Sequence, residues 1–169
     1  MVVGKSPLTD GWGETNSGGF LSQEIKRTGF DAVFFAGASE TPVWVDISDE
    51  MVEIKDASSL WGKDIVRTGV QIKAELCGKK VRVASIGEIG EKLSLISGIS
   101  TDCGHIAARS GLGALMGSKK LKAVAFRGKQ KIPVARPDVI KTINSDANVI
   151  KYQKKICLSE LPPGMWRHH

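Results

Sequence analysis

The chain has 169 residues, 41% of them hydrophobic, which suits a globular domain with a short extension and excludes a disordered chain. Three cysteines without a CxxC pair indicate neither a disulfide framework nor a zinc site. We expect neither a signal peptide nor a membrane span, so the sequence favours a cytoplasmic protein. The formal net charge of +6 fits either an anionic partner, such as a phosphate-bearing cofactor, or an ordinary basic surface; no nucleic-acid motif accompanies it.

The first half of the chain predicts a loop, a helix and three strands. Residues 4–19 are polar and rich in turn residues, so we expect a loop there, with or without a short strand before it. A short helix is expected over residues 20–29, with Asn16 or Ser17 as its N-cap and Gly29 as its stop. Strands are predicted at the apolar run 31–37, at "TPVWVDIS" and at "MVEIKD".

The second half predicts alternating helices and strands. Asp56 or Ser58 caps a helical turn at "ASSLWGKD", and "IVRTGVQIKAELCG" predicts an amphipathic helix that ends at Gly78. "KVRVASIG" predicts a strand, whereas "EIGEKLSLISGIS" is compatible with a short helix, a strand or both. Further along, the pattern predicts a loop at 109–113, a short helix at 114–119, a strand at 122–127 and a helix from an Asp138 cap to about residue 155.

Two segments of the chain are similar to each other. Residues 16–37 ("NSGGFLSQEIKRTGFDAVFFAG") and residues 109–128 ("RSGLGALMGSKKLKAVAFRG") both begin with polar-Ser-Gly and end in an "AV-x-F-x-G" strand. A short helix with basic residues at its end lies between. The similarity favours one structural unit used twice, although a match this short also arises by chance. Two such units related by a pseudo-two-fold axis would hold an extended ligand with two anionic ends.

The loop at the start of each unit is a candidate anion site. A Ser-Gly loop before a helix leaves backbone N–H groups without a partner, and these groups favour an anion. Asn16 adds an amide to the first loop, and Arg109 can bind a phosphate bidentately in the second. Both loops could equally be ordinary connectors, because neither has the spacing of a dinucleotide or P-loop motif. Lys119, Lys120 and Lys122 form a basic patch, which is either a solvated face or lies near ligand phosphates.

Five stretches of the chain together resemble one family. They are "KSPLTDGWGETNSGGF", "EIKRTGFDAVFFAG", "DASSLWGKD", "VASIGEIGEKL" and "ARSGLGALMGSKKLKAVAFRG". In their order and approximate spacing they resemble the N-terminal, tungstopterin-binding domain of the tungsten-containing aldehyde ferredoxin oxidoreductases. We therefore expect a partial domain of that family over residues 1–135. A helical or irregular tail is expected over residues 136–169, and it departs from the family pattern after about residue 152.

The resemblance implies a fold, a cofactor and a reaction. The implied fold class is α+β, with two related β-sheet halves, short helices and a pseudo-two-fold internal duplication. In the family these halves cradle two pyranopterins that hold tungsten or sometimes molybdenum, and a magnesium ion links the pterin phosphates. A [4Fe–4S] cluster held by later domains passes electrons to ferredoxin, and the reaction oxidises an aldehyde to a carboxylic acid.

The resemblance also places the implied pterin contacts in two loops. They are Asn16, Ser17, Gly18 and Gly19 in the first loop and His105, Ala107, Ala108, Arg109 and Gly111 in the second. His105 and Ala108 depart from the family pattern, which often has an arginine and a glycine there, and the charge of His105 depends on pH. Neither a catalytic residue nor a metal ligand is predicted in this chain.

The resemblance implies that the chain is a fragment. The family's sequences begin earlier, with a further pterin loop, and continue into domains that carry the cluster ligands, which this sequence lacks. We therefore expect the chain to supply part of a pterin cradle and to be inactive alone. The alternative is a non-catalytic subunit that binds pterin or oligomerises, with itself or with a partner. Membranes and nucleic acids are not expected partners.

Overall fold

The computed structural model describes residues 1–49, 51–77, 80–102 and 104–147. They fall into two compact units: the first is Met1–Ile132, and the second begins at Pro133. In the second unit, residues 137–147 are helical. Among all described residues, every helix is too short or too polar to cross a membrane.

Short strands and short helices build the first unit. Its strands are β1 (Val2–Lys5), β2 (Trp12–Thr15), β3 (Val43–Ser48), β4 (Met51–Asp56), β5 (Arg82–Ser85), β6 (Ile99–Thr101), β7 (His105–Ala107) and β8 (Leu121–Arg127). Its helices are α1 (Leu21–Arg27), α2 (Ile65–Glu75), α3 (Glu88–Glu91) and α4 (Leu112–Ser118). The strands form a two-stranded sheet of β1 and β2 and a six-stranded sheet in the order β4-β3-β8-β5-β6-β7. Two sheets with short helices confirm the predicted mixture of helix and strand.

The six-stranded sheet separates two layers of apolar side chains. β3 and β8 run parallel, and the other neighbouring strands are antiparallel. On one face, Trp44 packs with Ile72 of α2; on the other, Val45 and Phe126 pack with Ile25 of α1. Trp44 and Ile72 are almost completely buried, and burial of a large apolar side chain contributes about 1.5–3 kcal/mol. The central strands are therefore held from both sides.

The hairpin of β1 and β2 depends on α4 for its position. An isolated two-stranded hairpin is only marginally stable in water. Here Gly4 of β1 lies so close to α4 that an added Cβ would lie 2.5 Å from Cδ2 of Leu115. Val2 packs into the cluster that contains Leu112. The end of β2, at Thr15, is thereby fixed where the site described below begins.

Most of the predicted regular elements are confirmed. The segment "EIGEKLSLISGIS" contains both a helix, α3, and a strand, β6. Ser58 donates its backbone N–H to Oδ2 of Asp56 at 3.2 Å, so Asp56 caps the predicted turn. Asp64 caps α2 by accepting the N–H of Arg67 at 2.8 Å. Gly29 follows α1 with φ of 90°, as expected of a helix stop, whereas Gly78 lies outside the described residues.

Three local predictions are wrong. Residues 31–37 form no strand and are mostly exposed, because both edges of β3 are already paired, with β4 and with β8. Neither Asn16 nor Ser17 caps α1, whose N-cap position is Phe20 and has no side-chain hydrogen bond. Asp138 lies inside the helix over 137–147 rather than before it, and the rest of that predicted helix lies outside the described residues. The two similar segments thus share a loop and a helix, while the strand forms only in the second.

Candidate functional site

Two loops from distant parts of the chain line one cavity of about 420 Å³. The end of β2 and the loop after it contribute Glu14, Thr15 and Asn16. The end of β7 and the loop after it contribute Ile106, Ala108 and Arg109. We call this cavity the two-loop cleft. It brings together the predicted site residues Asn16, Ala108 and Arg109.

Hydrogen bonds fix the two walls of the two-loop cleft to each other. The backbone N–H of Arg109 donates to Oγ1 of Thr15 at 3.2 Å. Oγ of Ser110 accepts the N–H of Glu14 at 3.3 Å and donates to its carbonyl oxygen at 3.2 Å. Ser6 Oγ donates to the Ser110 carbonyl at 2.9 Å. Backbone and short side chains thus set the width of the cleft and leave its longer side chains available.

The side chains of Asn16 and Arg109 are available for a ligand. Both residues are exposed, and among the described residues neither side chain forms a hydrogen bond or an ion pair. A free guanidinium suits a phosphate or carboxylate, because its planar N–H groups match two oxygens at once. Glu14 places a carboxylate in the same cleft. The cleft therefore offers a cation, an amide and a carboxylate.

The remaining residues of the first loop pack against the β6–β7 hairpin beside the cleft. Oγ of Ser17 lies 2.7 Å from Oγ1 of Thr101, at hydrogen-bonding distance. Gly19 has φ of 88°, and a Cβ added to it would lie 2.7 Å from Cδ2 of His105. A Cβ added to Gly18 would lie 3.4 Å from Nδ1 of the same imidazole. Glycine at 19 is thus required by backbone conformation and by the imidazole. These predicted residues lie beside the cleft and are not among the residues that line it.

An ion pair supports this loop from behind. Nη1 of Arg82 lies 3.7 Å from Oδ1 of Asp102, and the Arg82 guanidinium lies 4.9 Å from the centre of the Phe20 ring. Asp102 also accepts the N–H of Phe20 at 3.4 Å. Oδ1 of Asp102 is buried and has no hydrogen-bond partner among the described residues. Arg82 therefore holds the loop through both its charge and its contact with the ring.

Six predicted site residues are not among those that line the cleft: Ser17, Gly18, Gly19 and His105 lie beside it, and Ala107 and Gly111 are buried. Ala107 is fully buried in an apolar cluster with Ile99. Gly111 is buried with φ of 63°, and an added Cβ would lie 2.3 Å from the carbonyl oxygen of Leu95. Conversely, Glu14, Thr15 and Ile106 line the cleft and were not predicted. The residues of "WGET" gave no usable signal, because the exposed positions of β2 are an apolar Trp12 and a charged Glu14.

Near the start of each of α1 and α4, one backbone N–H group is already bonded within the chain. The N–H of Phe20 is bonded to Asp102, and the N–H of Gly113 donates to the carbonyl of Ser97 at 3.1 Å. An anion at either helix start would compete with these bonds. These two groups are not free for an anion, anion binding at the other N–H groups of the helix starts stays a prediction, and the side chains of Asn16 and Arg109 provide the stronger case for a ligand.

The described residues contain no group of three or more His, Cys, Asp or Glu side chains placed to hold a metal ion. The fold and the cleft together define a mixed α/β domain that presents a polar cleft between two loops. The model of the aldehyde ferredoxin oxidoreductase N-terminal domain matches residues 1–128. The chain belongs to this family.

Named relatives agree with this assignment. The chain is 46% identical over 134 residues to the tungsten-containing aldehyde ferredoxin oxidoreductase of Pyrococcus furiosus and 47% identical to that of Thermococcus kodakarensis. In each case the match covers 79% of this chain and 22% of the relative. A WOR-like subunit of an aliphatic sulfonate oxidoreductase from Pyrococcus furiosus is 33% identical over 144 residues. The chain thus spans about a fifth of the length of these oxidoreductases.

A solved structure shares the fold. The active site complex BamBC of benzoyl coenzyme A reductase, in complex with 1,5-dienoyl-CoA, aligns with a TM-score of 0.83 and 36% sequence identity. The alignment covers 95% of this chain and 25% of that chain. The architecture described above is therefore that of a domain found inside larger redox enzymes.

Proposed function

We propose that the two-loop cleft binds the phosphate end of a pyranopterin in a tungsten or molybdenum oxidoreductase. The proposed reaction oxidises an aldehyde to a carboxylic acid and passes the electrons to ferredoxin. One observation carries the proposal: Asn16 and Arg109, far apart in sequence, line the same cavity with unpaired polar side chains. The names of the tungsten-containing relatives support the choice of cofactor.

The donor set of the cleft fits a phosphate accompanied by a magnesium ion. Arg109 supplies the cation that pairs with phosphate oxygens. The carboxylate of Glu14 and the amide oxygen of Asn16 are hard oxygen ligands of the kind that magnesium prefers. A bound tungsten would supply the two-electron chemistry. The residues of this chain bind and orient the organic part of the cofactor, with Gly18, Gly19 and His105 as the adjacent wall.

We propose further that the chain does not oxidise aldehydes by itself. Its described residues offer no cluster of metal ligands, and it spans only 22% of the length of the tungsten-containing relatives. Its contribution is part of the cofactor cradle. A viologen-linked assay of aldehyde oxidation tests this statement, and turnover by the purified chain alone would contradict it.

The binding proposal is tested by purification from cells grown with tungstate and molybdate. Metal is measured by mass spectrometry and pterin by fluorescence after oxidation. We expect the Asn16→Ala/Arg109→Ala variant to retain about tenfold less pterin than the wild type, because the charge-assisted contacts to phosphate are lost. Arg67→Ala is the matched control, since Arg67 is an exposed arginine on α2 outside the cleft. Equal pterin in the wild type and the double variant, or none in either, would count against the proposal.

A further inference from the structure

The strand β4 is an open edge of the six-stranded sheet. One side of β4 pairs with β3, and β4 is the first strand in the order β4-β3-β8-β5-β6-β7. Its apolar side chains are unusually exposed: Met51 is 62% exposed, Val52 57% and Ile54 70%. An edge strand with exposed apolar residues is a template for pairing with another strand.

The register of β3 and β4 shows which backbone groups of β4 point outward. Ala57, just after β4, donates its N–H to the carbonyl of Pro42, just before β3, at 2.9 Å, so this position is a hydrogen-bonded position of the ladder. In an antiparallel ladder the bonded positions alternate. Glu53 and Lys55 therefore also bond to β3, opposite Asp46 and Trp44. Residues 52, 54 and 56 direct their N–H and C=O groups away from the sheet.

The charges of β4 favour one self-pairing register. In an antiparallel pair of identical strands, outward-bonding positions must face each other. A two-fold axis at Ile54 places Val52 opposite Asp56 and Glu53 opposite Lys55 of the second copy. An axis at Glu53 would place two glutamates opposite each other, and an axis at Lys55 two lysines. An axis at Val52 would pair only half of the strand. Opposite charges across strands stabilise a pair, and like charges destabilise it.

We propose that β4 pairs with β4 of a second copy of this chain, antiparallel and centred on Ile54, to join two six-stranded sheets into one. The Lys55 ammonium already lies on the required face, 5.1 Å from the centre of the Trp44 ring and 3.5 Å from both Glu53 and Glu75. Glu53 of the second copy adds a carboxylate there. β7 lies at the other end of the sheet, so pairing leaves the two-loop cleft accessible and does not depend on what the cleft binds.

The interface is tested by charge reversal in the full chain. We expect the wild type to reach twice the 18.2 kDa of one chain in sedimentation or light scattering as its concentration rises through the micromolar range. A strand edge buries less surface than a standard interface of ~1,600 Å², so we expect weak association. Glu53→Lys or Lys55→Glu alone should weaken it about tenfold or more, because each places like charges opposite each other twice. The double variant Glu53→Lys/Lys55→Glu should restore it.

Two further variants separate loss of pairing from loss of folding. Ile54→Lys places two lysines on the axis and should give a monomer, whereas Val70→Lys should still dimerise, because Val70 is similarly exposed but lies on α2. Circular dichroism checks that every variant is folded. A wild type that stays monomeric at all concentrations would overturn the proposal. Dimerisation that is unchanged by Ile54→Lys would overturn β4 as the interface. A double charge reversal that fails to restore association would overturn the proposed register.

Discussion

The buried ion pair of Lys122 and Glu91 gives a prediction about stability. Replacing Lys122 should destabilise the fold, and replacing Glu91 as well should recover part of the lost stability. Lys122 is a lysine in a strand, yet it is fully buried. It lies at a bulge of β8, where Leu121 pairs with Val43 and Ala123 pairs with Trp44. Lys122 therefore has no pairing partner on β3. Its ammonium donates to Glu91 and, at 2.7 Å, to the carbonyl of Lys63.

The structure sets the magnitude of the effect. The Glu91 side chain is only 6% exposed, and its second oxygen accepts the N–H of Gly62 at 2.8 Å. Lys122→Met keeps the length of the side chain and leaves a buried carboxylate without its cation, which lowers the free energy of unfolding by about 3–5 kcal/mol. Adding Glu91→Gln removes that charge and keeps an acceptor for Gly62. The double variant should therefore be about 2 kcal/mol more stable than Lys122→Met alone.

Urea denaturation followed by far-UV circular dichroism measures Lys122→Met, Glu91→Gln and the double variant. Lys92→Met, at the residue just after α3, is the control: its ion pair with Glu88 has side chains 76% and 55% exposed, so we expect a change below about 0.5 kcal/mol. If Glu91→Gln lowered stability equally in the wild type and in the Lys122→Met background, the two groups would be uncoupled. The buried pair would then not hold α3 against the loop before α2.

Two further predictions concern the helices. Gly117→Ala should lower the free energy of unfolding by about 1–3 kcal/mol, because the new Cβ would lie 2.0 Å from the carbonyl oxygen of Gly90. Gly87→Ala is its control, with nothing closer than 3.6 Å, and equal urea midpoints for both would refute the packing argument. Asp64→Ala should lower Tm at neutral pH, because the Arg67 backbone N–H holds the pKa of Asp64 below its ordinary value. Because its pKa is lowered, the ionised Asp64 carboxylate stabilises the folded chain at pH values above its ordinary pKa, and this stabilisation is lost when the carboxylate is protonated in acid. The difference in Tm between the wild type and Asp64→Ala should therefore shrink below about pH 4. A difference that stays constant with pH would contradict the role of Asp64 as the helix cap.

The sequence predicts those helices and strands that are long enough to show a full hydrophobic period or alternation of their own. β3, β4 and β8 have apolar or alternating runs of six or seven residues, and α2 has both a period and a cap. β6 and β7 have three residues each, too few for a period to be detected, and only the ambiguous segment containing β6 was identified. β2 lies inside the segment predicted as a loop, so the hairpin and one wall of the cleft were not predicted, although a short strand at the position of β1 was left open.

The failures share a cause, which is that a local pattern does not reveal its partners. Residues 31–37 have the composition of the β8 strand but form no strand, and β3, the next strand along the chain, is already paired with β4 and β8 on its two sides. The three lysines after α4 are similarly misleading. Nζ of Lys119 donates to the carbonyl of Gly37 at 2.7 Å, Nζ of Lys120 donates to that of Glu40, and Lys122 is buried. These cations hold the chain's own backbone, so the sequence overstates the charge available to a ligand.

Arg109 differs from these lysines in a way that only the fold reveals. Its backbone is fixed to Thr15, while its guanidinium forms no hydrogen bond or ion pair with the described residues. A long cationic side chain that is anchored at its base and free at its tip is well placed to bind an anion, since little backbone freedom is lost on binding. The sequence could place an arginine at the entrance of a loop. The pairing of that loop with Asn16 across one cleft required the six-stranded sheet and the hairpin that α4 supports.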